Sequence, residues 1–253
     1  MKLYRTEGVV LRTYSVREAD KVLVLFSRDL GKLRLWAHGV AKPGSHKRGA
    51  VQPFCHGQFL VAAGREIDTV RQAEALDGHS HLHTDLVTLT RATYACELVE
   101  GFGVEGQPNV QLYVLLLETL GRLGTTGDDP LLLPAFEARL LDLSGFRPEL
   151  KTCLECGAAP DRSPLYFSPL LGGIQCTSCH TGDDGALTVS LGSVRTLESL
   201  RSLPLDRLST LRPDAGTSRE LTRMLRNTIS LHLEKQPKSL SFLADLTTFS
   251  PKA

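Results

Sequence analysis

Two cysteine pairs of one spacing, CLECG at 153–157 and CTSC at 176–179, constrain this chain more than any other feature. Each Cys-x2-Cys can turn two thiolates toward one point, and residues 157–175 give enough chain to bring the second pair back to the first. That spacing matches the pattern of a tetrahedral zinc site. Cys153, Cys156, Cys176 and Cys179 are therefore the expected metal ligands. Four thiolates complete the shell, so the expected ion is one structural Zn2+ per chain, with no open position for a substrate. Two disulfides or unpaired core thiols are the alternatives. Gly157 would relieve the turn after the first pair, and Tyr166, Phe167, Leu170 and Leu171 would cover the site. His180 adjoins Cys179, but four sulfurs leave it no necessary role. Cys55 and Cys96 sit singly in apolar segments and read as core thiols.

The 253 residues and 42% hydrophobic content allow one large or several small domains. Charge is unevenly spread. Residues 1–50 hold eleven Lys and Arg against four Asp and Glu, a balance of +7 in a chain of net charge +1. A basic amino-terminal part joined to a mildly acidic remainder suits an anionic partner, although a solvated surface would look the same. The start MKLYRTEGVV lacks the apolar run of a signal peptide, and no stretch reaches the length of a membrane span. Paired thiolates on zinc fit a reducing cytosol.

Residues 7–15, 21–27, 33–40, 54–64 and 65–76 read as five short strands. Val22, Val24 and Phe26 share one face of the second. In the third, Leu33, Leu35 and Ala37 share a face, and Arg34, Trp36 and His38 fall on the other. Cations beside a large aromatic suit stacking and phosphate attraction, while Trp36 could equally be core. The loop AKPGSHKRGA at 41–50 adds Lys42, Lys47 and Arg48, which could follow a phosphate backbone. Five closely connected strands predict a small closed barrel of the oligonucleotide-binding (OB-fold) class, with an SH3-like barrel as the alternative.

From residue 80 the apolar period changes to that of helices, expected at about 82–100, 110–123 and 131–146, then 190–203 and 218–235. The acidic pairs Asp128–Asp129 and Asp183–Asp184 lie in glycine-containing loops and read as surface turns. The arginines of the last helix read first as a solvated face. Residues beyond 247 read as loose chain. The expected fold is multidomain α+β: an OB-fold β-barrel at 1–80, a helical domain at 81–150 and 187–253, and an inserted zinc-ribbon-like module of four cysteines at 151–186.

The motifs GVVLRT at 8–13, YSVREADK at 14–21, GKLRLWAHGVAKPGS at 31–45 and QAEAL at 72–76 occur in one order with CxxCG, YFSP, GG and the second CxxC. The tail HLEKQPKSLSFL at 232–243 follows, with Leu240 where an arginine is usual. This ordered set resembles the bacterial RecO family of recombination and repair mediators over residues 1–245. The resemblance implies binding of single- and double-stranded DNA, strand annealing, and recombinase loading with the partner RecR and single-strand-binding protein. It implies a cytoplasmic, nucleoid-associated protein and carries the DNA role onto Lys32, Arg34, Lys42, Lys47 and Arg48; Trp36 joins them as the candidate stacking residue. No HExxH, GxxxxGK[ST] or deaminase pattern is present, so a non-catalytic role is expected. A zinc-containing scaffold of a repair complex and a nucleic-acid-processing enzyme are the alternatives.

Overall fold

The computed structural model describes residues 2–125, 129–182, 185–233, 235–240, 242 and 243. Asp128, the Asp183–Asp184 pair and the tail beyond 247 lie outside these residues. The chain divides into two compact units, Met1–Asp128 with Pro237–Ala253, and Asp129–Gln236.

The first unit contains strands β1 (Leu3–Ser15), β2 (Lys21–Ser27), β3 (Gly31–Ala37), β4 (His56–Ala62) and β5 (Asp68–Asp77), then helices α1 (Leu86–Phe102) and α2 (Val110–Arg122). Between β2 and β3 the Ser27 hydroxyl accepts from the N–H groups of Asp29 and Leu30. Gly31 follows at φ 68, where a Cβ would also lie 2.2 Å from the Gln107 carbonyl oxygen. Only glycine meets both demands. Leu23, Leu25, Leu35, Phe59, Val61 and Val70 fill the interior of the sheet. Val24 and Phe26 point the other way and are also buried, because α1 packs over β1 and β2. That second cover explains why β2 is apolar on both faces.

Pairings run β1-β2-β3-β5-β4 and return from β4 to β1. The expected OB-fold barrel needs correction at one seam. β3 and β5 meet through only two residue pairs, Leu35–Asp68 and Trp36–Thr69, in parallel sense. Every other pairing is a longer antiparallel one. The unit is thus a curled antiparallel sheet whose two ends join over a minimal contact. β5 spends nearly all its length along β4, and β3 gives way to turns after Ala37, so little backbone is left to pair there.

The second unit joins three helices to the cysteine-bearing segment. α3 (Leu132–Leu143), α4 (Leu191–Ser202) and α5 (Ala215–His232) pack on one another in this unit, while α1 and α2 belong to the first. The cysteine-bearing segment between α3 and α4 contributes β6 (Glu149–Cys153), β7 (Leu165–Ser168), β8 (Gly173–Cys176) and β9 (Leu187–Val189) to a sheet of order β6-β8-β7-β9. Phe167 shares a small internal pocket with Ala138, Leu141, Leu197, Met224 and Leu225 from the three helices. A sheet this small has too little apolar surface to stand alone, so it completes its core with theirs.

Side chains start the helices as local chemistry predicts. Asp85, Asn109, Ser190 and Asp214 each accept from a backbone N–H in the first turn, at Thr88, Leu112, Ser193 and Thr217. Pro134 is tolerated because it falls in the first turn of α3, where no N–H is needed for the ladder.

Candidate functional site

Cys153 ends β6 and Cys176 ends β8. These strands are parallel neighbours, with Cys153 opposite Ile174. Parallel pairing brings both strands to the same end of the sheet, so both Cys-x2-Cys turns leave from one place. Gly157, at φ 70, closes the first turn by donating its N–H to the Cys153 carbonyl at 3.0 Å. In the second, the N–H groups of Cys179 and His180 donate to the Cys176 carbonyl at 3.1 Å each.

The four sulfurs all lie within 4.8 Å of one another. Cys156 and Cys176 are 3.9 Å apart at sulfur, and all six cysteines are free thiols. A disulfide would need about 2.05 Å, whereas a tetrahedron of Zn–S bonds about 2.3 Å long has edges of about 3.8 Å. The disulfide alternative is therefore removed, and the donor set fits a metal ion. Electrostatics point the same way. Burial pushes the Cys153 thiol up, but the N–H groups of Cys156, Cys176 and Glu155 outweigh it and bring it down to about 6. Cys179 is pushed up to about 12, chiefly by the Cys176 sulfur and then by that of Cys156. The sulfurs cannot all ionise side by side without a cation to bind them.

The surroundings differ in part from expectation. Phe167 is buried, and Tyr166 stacks on His180 with centroids 3.9 Å apart and planes 8° from parallel. His180 is turned toward Gln175, with its Nδ1 3.3 Å from Oε1, and stands outside the sulfur cluster. Leu170 and Leu171 do not cover the site, being 72% and 50% exposed at the β7–β8 turn. Leu150, Leu165 and Ile174, on β6, β7 and β8, are buried.

In the first unit β3 alternates as expected. Leu35 and Ala37 are buried inside, while Lys32, Arg34 and Trp36 point outward. Trp36 is half-buried and not part of the interior core. Cross-strand register places Lys32 beside Phe26, Arg34 beside Val24 with Arg12 beyond, and Trp36 beside Val22 with Tyr14 beyond. Sequence reasoning missed Arg12 and Tyr14. Alternation within β1 would have put Arg12 and Tyr14 on one face, but only the register aligns them with Arg34 and Trp36.

Three of the outward cations are engaged by the end of α1 and the loop after it. Lys32 donates from Nζ to the Glu100 carbonyl at 2.7 Å, a favourable place for a cation near a helix carboxyl terminus. Arg12 pairs with Glu100 at 2.5 Å and Arg34 with Glu105 at 3.3 Å. The Arg34 pair is solvent-exposed on both sides and contributes about 0–1 kcal/mol.

The 41–50 loop is a run of turns anchored by Val40, Ala50 and Val51, all buried in the sheet interior. Lys47 is part of that anchoring. Its Nζ donates to the carbonyls of His38 at 3.0 Å and Val70 at 3.3 Å, and burial, followed by the charge of Arg71, lowers its pKa. Lys42 and Arg48 are exposed, and among the described residues neither side chain has an acidic partner.

Asp20 ties the β1–β2 connection to this loop. It accepts from the Gly39 N–H at 2.8 Å and from Trp36 Nε1 at 3.3 Å, and lies 3.0 Å from His38 Nδ1. The Gly39 N–H foremost, then His38, holds its carboxyl down to about 2. These contacts therefore contribute fully above the ordinary carboxylate pKa of about 3.9 and are lost as pH falls through about 2. Trp36 is the only tryptophan in the chain. An acid titration followed by its fluorescence is expected to show a step between about pH 4 and 2, absent from Asp20→Asn.

Two family models match the chain. Residues 1–79 match the model described as Recombination protein O N terminal, and residues 83–241 that described as Recombination protein O C terminal. The chain belongs to the RecO family. It is 53% identical over 245 residues to a DNA repair protein RecO of Desulforudis audaxviator, covering 96% of this chain and 97% of the relative. It is 42% identical over 243 residues to that of Desulforamulus reducens, covering 96% and 94%. The RecO protein of Pelotomaculum thermopropionicum is 41% identical with the same coverage. Membership places this RecO-family chain among DNA repair and recombination proteins. No helix among its described residues is long and apolar enough to cross a membrane.

Proposed function

We propose that this RecO-family chain is a non-catalytic DNA-binding mediator that promotes strand annealing and, with RecR and single-strand-binding protein, recombinase loading. The observation that carries the DNA contact is the pair Lys42 and Arg48, exposed and, among the described residues, without acidic partners, on a loop anchored through Val40, Ala50 and Val51 in the sheet interior. Such cations neutralise phosphates without reading bases, so binding is weakly sequence-specific and strongly salt-dependent. Neutralising two strands together lowers the repulsion that opposes their pairing. Lys32, Arg34 and Trp36 extend the path along β3, and Lys47 supports it from beneath the loop. In this reading the protein works in the cytoplasm, associated with the nucleoid.

The four cysteines hold one structural Zn2+ in this reading, closing the sheet edge rather than performing chemistry. Annealing of complementary strands coated with single-strand-binding protein tests the function. The protein is expected to accelerate annealing, and the acceleration is expected to fall steeply with added salt. Annealing at the unassisted rate at low salt would refute the proposal.

A further inference from the structure

We infer that Tyr14 and Trp36 form a two-ring platform for unpaired bases, making this face selective for single strands over duplex. The inference rests on the DNA-binding reading above and adds to it the class of strand.

The two rings belong to one cross-strand row. Tyr14 pairs with Val22, and Val22 with Trp36, so all three project from the same face of β1, β2 and β3. Neighbouring strands lie about 4.8 Å apart, which sets the rings roughly 10 Å apart with an aliphatic floor between them. Tyr14 is 41% exposed, an unusual setting for a large aromatic on a sheet otherwise well covered. Each ring already carries a flat cation. The Arg12 guanidinium sits 4.5 Å from the Tyr14 centroid, and that of Arg17 sits 5.6 Å from the Trp36 centroid. A guanidinium over a ring marks a position that a planar group can reach from solvent. A base entering there takes over the stack, with Arg12 staying on Glu100 at the edge of the Tyr14 ring.

This chemistry separates the two forms of DNA. Every base has a π-face, so stacking tolerates any sequence, but it needs that face unpaired and unstacked. A duplex hides the faces of its bases and offers this surface only phosphates. Asp20 keeps the Trp36 ring in place through its indole N–H without covering the row, since it also holds the Gly39 N–H on the loop side.

The single tryptophan makes the idea directly readable. The full chain is titrated with oligothymidylate, with an abasic oligonucleotide of equal length, and with a duplex. Trp36 fluorescence reports stacking, and anisotropy of labelled DNA reports affinity. Oligothymidylate is expected to quench Trp36, whereas the abasic strand and the duplex bind without quenching. Tyr14→Leu is expected to weaken oligothymidylate binding about tenfold and to leave the other two unchanged, with Tyr14→Phe restoring it. Equal quenching by the abasic strand, no quenching at all, or a Tyr14→Leu loss shared by all three ligands would overturn the platform. Lys42→Glu with Arg48→Glu serves as the separate arm. If that variant keeps full affinity for every ligand, the DNA-binding reading of the loop fails, whatever the rings do.

Discussion

Replacing Cys176 by serine is expected to take the metal content from one equivalent per chain to near zero and to melt the β6–β9 sheet. The effect is large because the sheet has few other supports. β6 and β8 share only two register pairs, Glu149–Gly173 and Cys153–Ile174, and β9 is three residues long. A structural zinc in an isolated small module contributes on the order of 10–16 kcal/mol, comparable to the whole stability of an ordinary domain, about 5–15 kcal/mol. Metal analysis of protein purified without chelator gives the first readout. Hydrogen exchange over 149–189 gives the second, with protection expected to collapse there while β1–β5 stays protected. Full metal content with unchanged protection would remove Cys176 from the ligand set. DNA affinity is expected to change little, because Lys42 and Arg48 lie in the other unit.

Reversing those two charges, Lys42→Glu with Arg48→Glu, is expected to weaken DNA binding on the order of tenfold to a hundredfold at moderate salt. Each lost phosphate contact should lower the salt slope by about 0.7 for single strands and 0.9 for duplex. The slope is therefore the sharper test, since a change in affinity alone could come from a distorted loop. Lys47 is left out of the variant on structural grounds. Its ammonium holds the carbonyls of His38 and Val70, so Lys47→Glu would place a carboxylate against two acceptors and loosen the loop itself. The double variant should melt at the wild-type temperature, because both side chains are exposed. Unchanged affinity and slope would take the loop out of the DNA path.

Much of the candidate site was readable because its residues are marked by type. Cysteine pairs at metal-ligand spacing have few other uses in a reducing compartment, and cations clustered on a Gly- and Pro-rich loop stay at the surface. Cys55 and Cys96 are buried free thiols, as their apolar neighbours suggested. Other assignments needed partners remote in the chain. Lys47 looks like Lys42 in sequence, yet one anchors the loop and the other points outward. Arg12 and Arg34 look available, but Glu100 and Glu105 already face them. Tyr14 gained meaning only when β1 was aligned with β2 and β3. Leu170 and Leu171 were expected to cover the sulfurs and instead lie open, because the helices of the same unit supply the apolar cover to the sheet.

Residue identity and short-range period were sufficient for the family, the grouping of four cysteines, the five amino-terminal strands and the helices that follow. A period of two tells which side chains share a face, and local capping tells where a helix begins. Neither tells which face is turned inward, nor which strands become neighbours. Tertiary structure decided that Trp36 lies outside the core, that β3 and β5 meet over only two pairs, and that α3, α4 and α5 complete the cysteine-bearing sheet. It also set β6 beside β8 in parallel, which brings two cysteine turns distant in sequence to one end of one sheet. Those outcomes depend on long-range pairing and shared burial, whose energies belong to contacts between segments rather than to any segment alone.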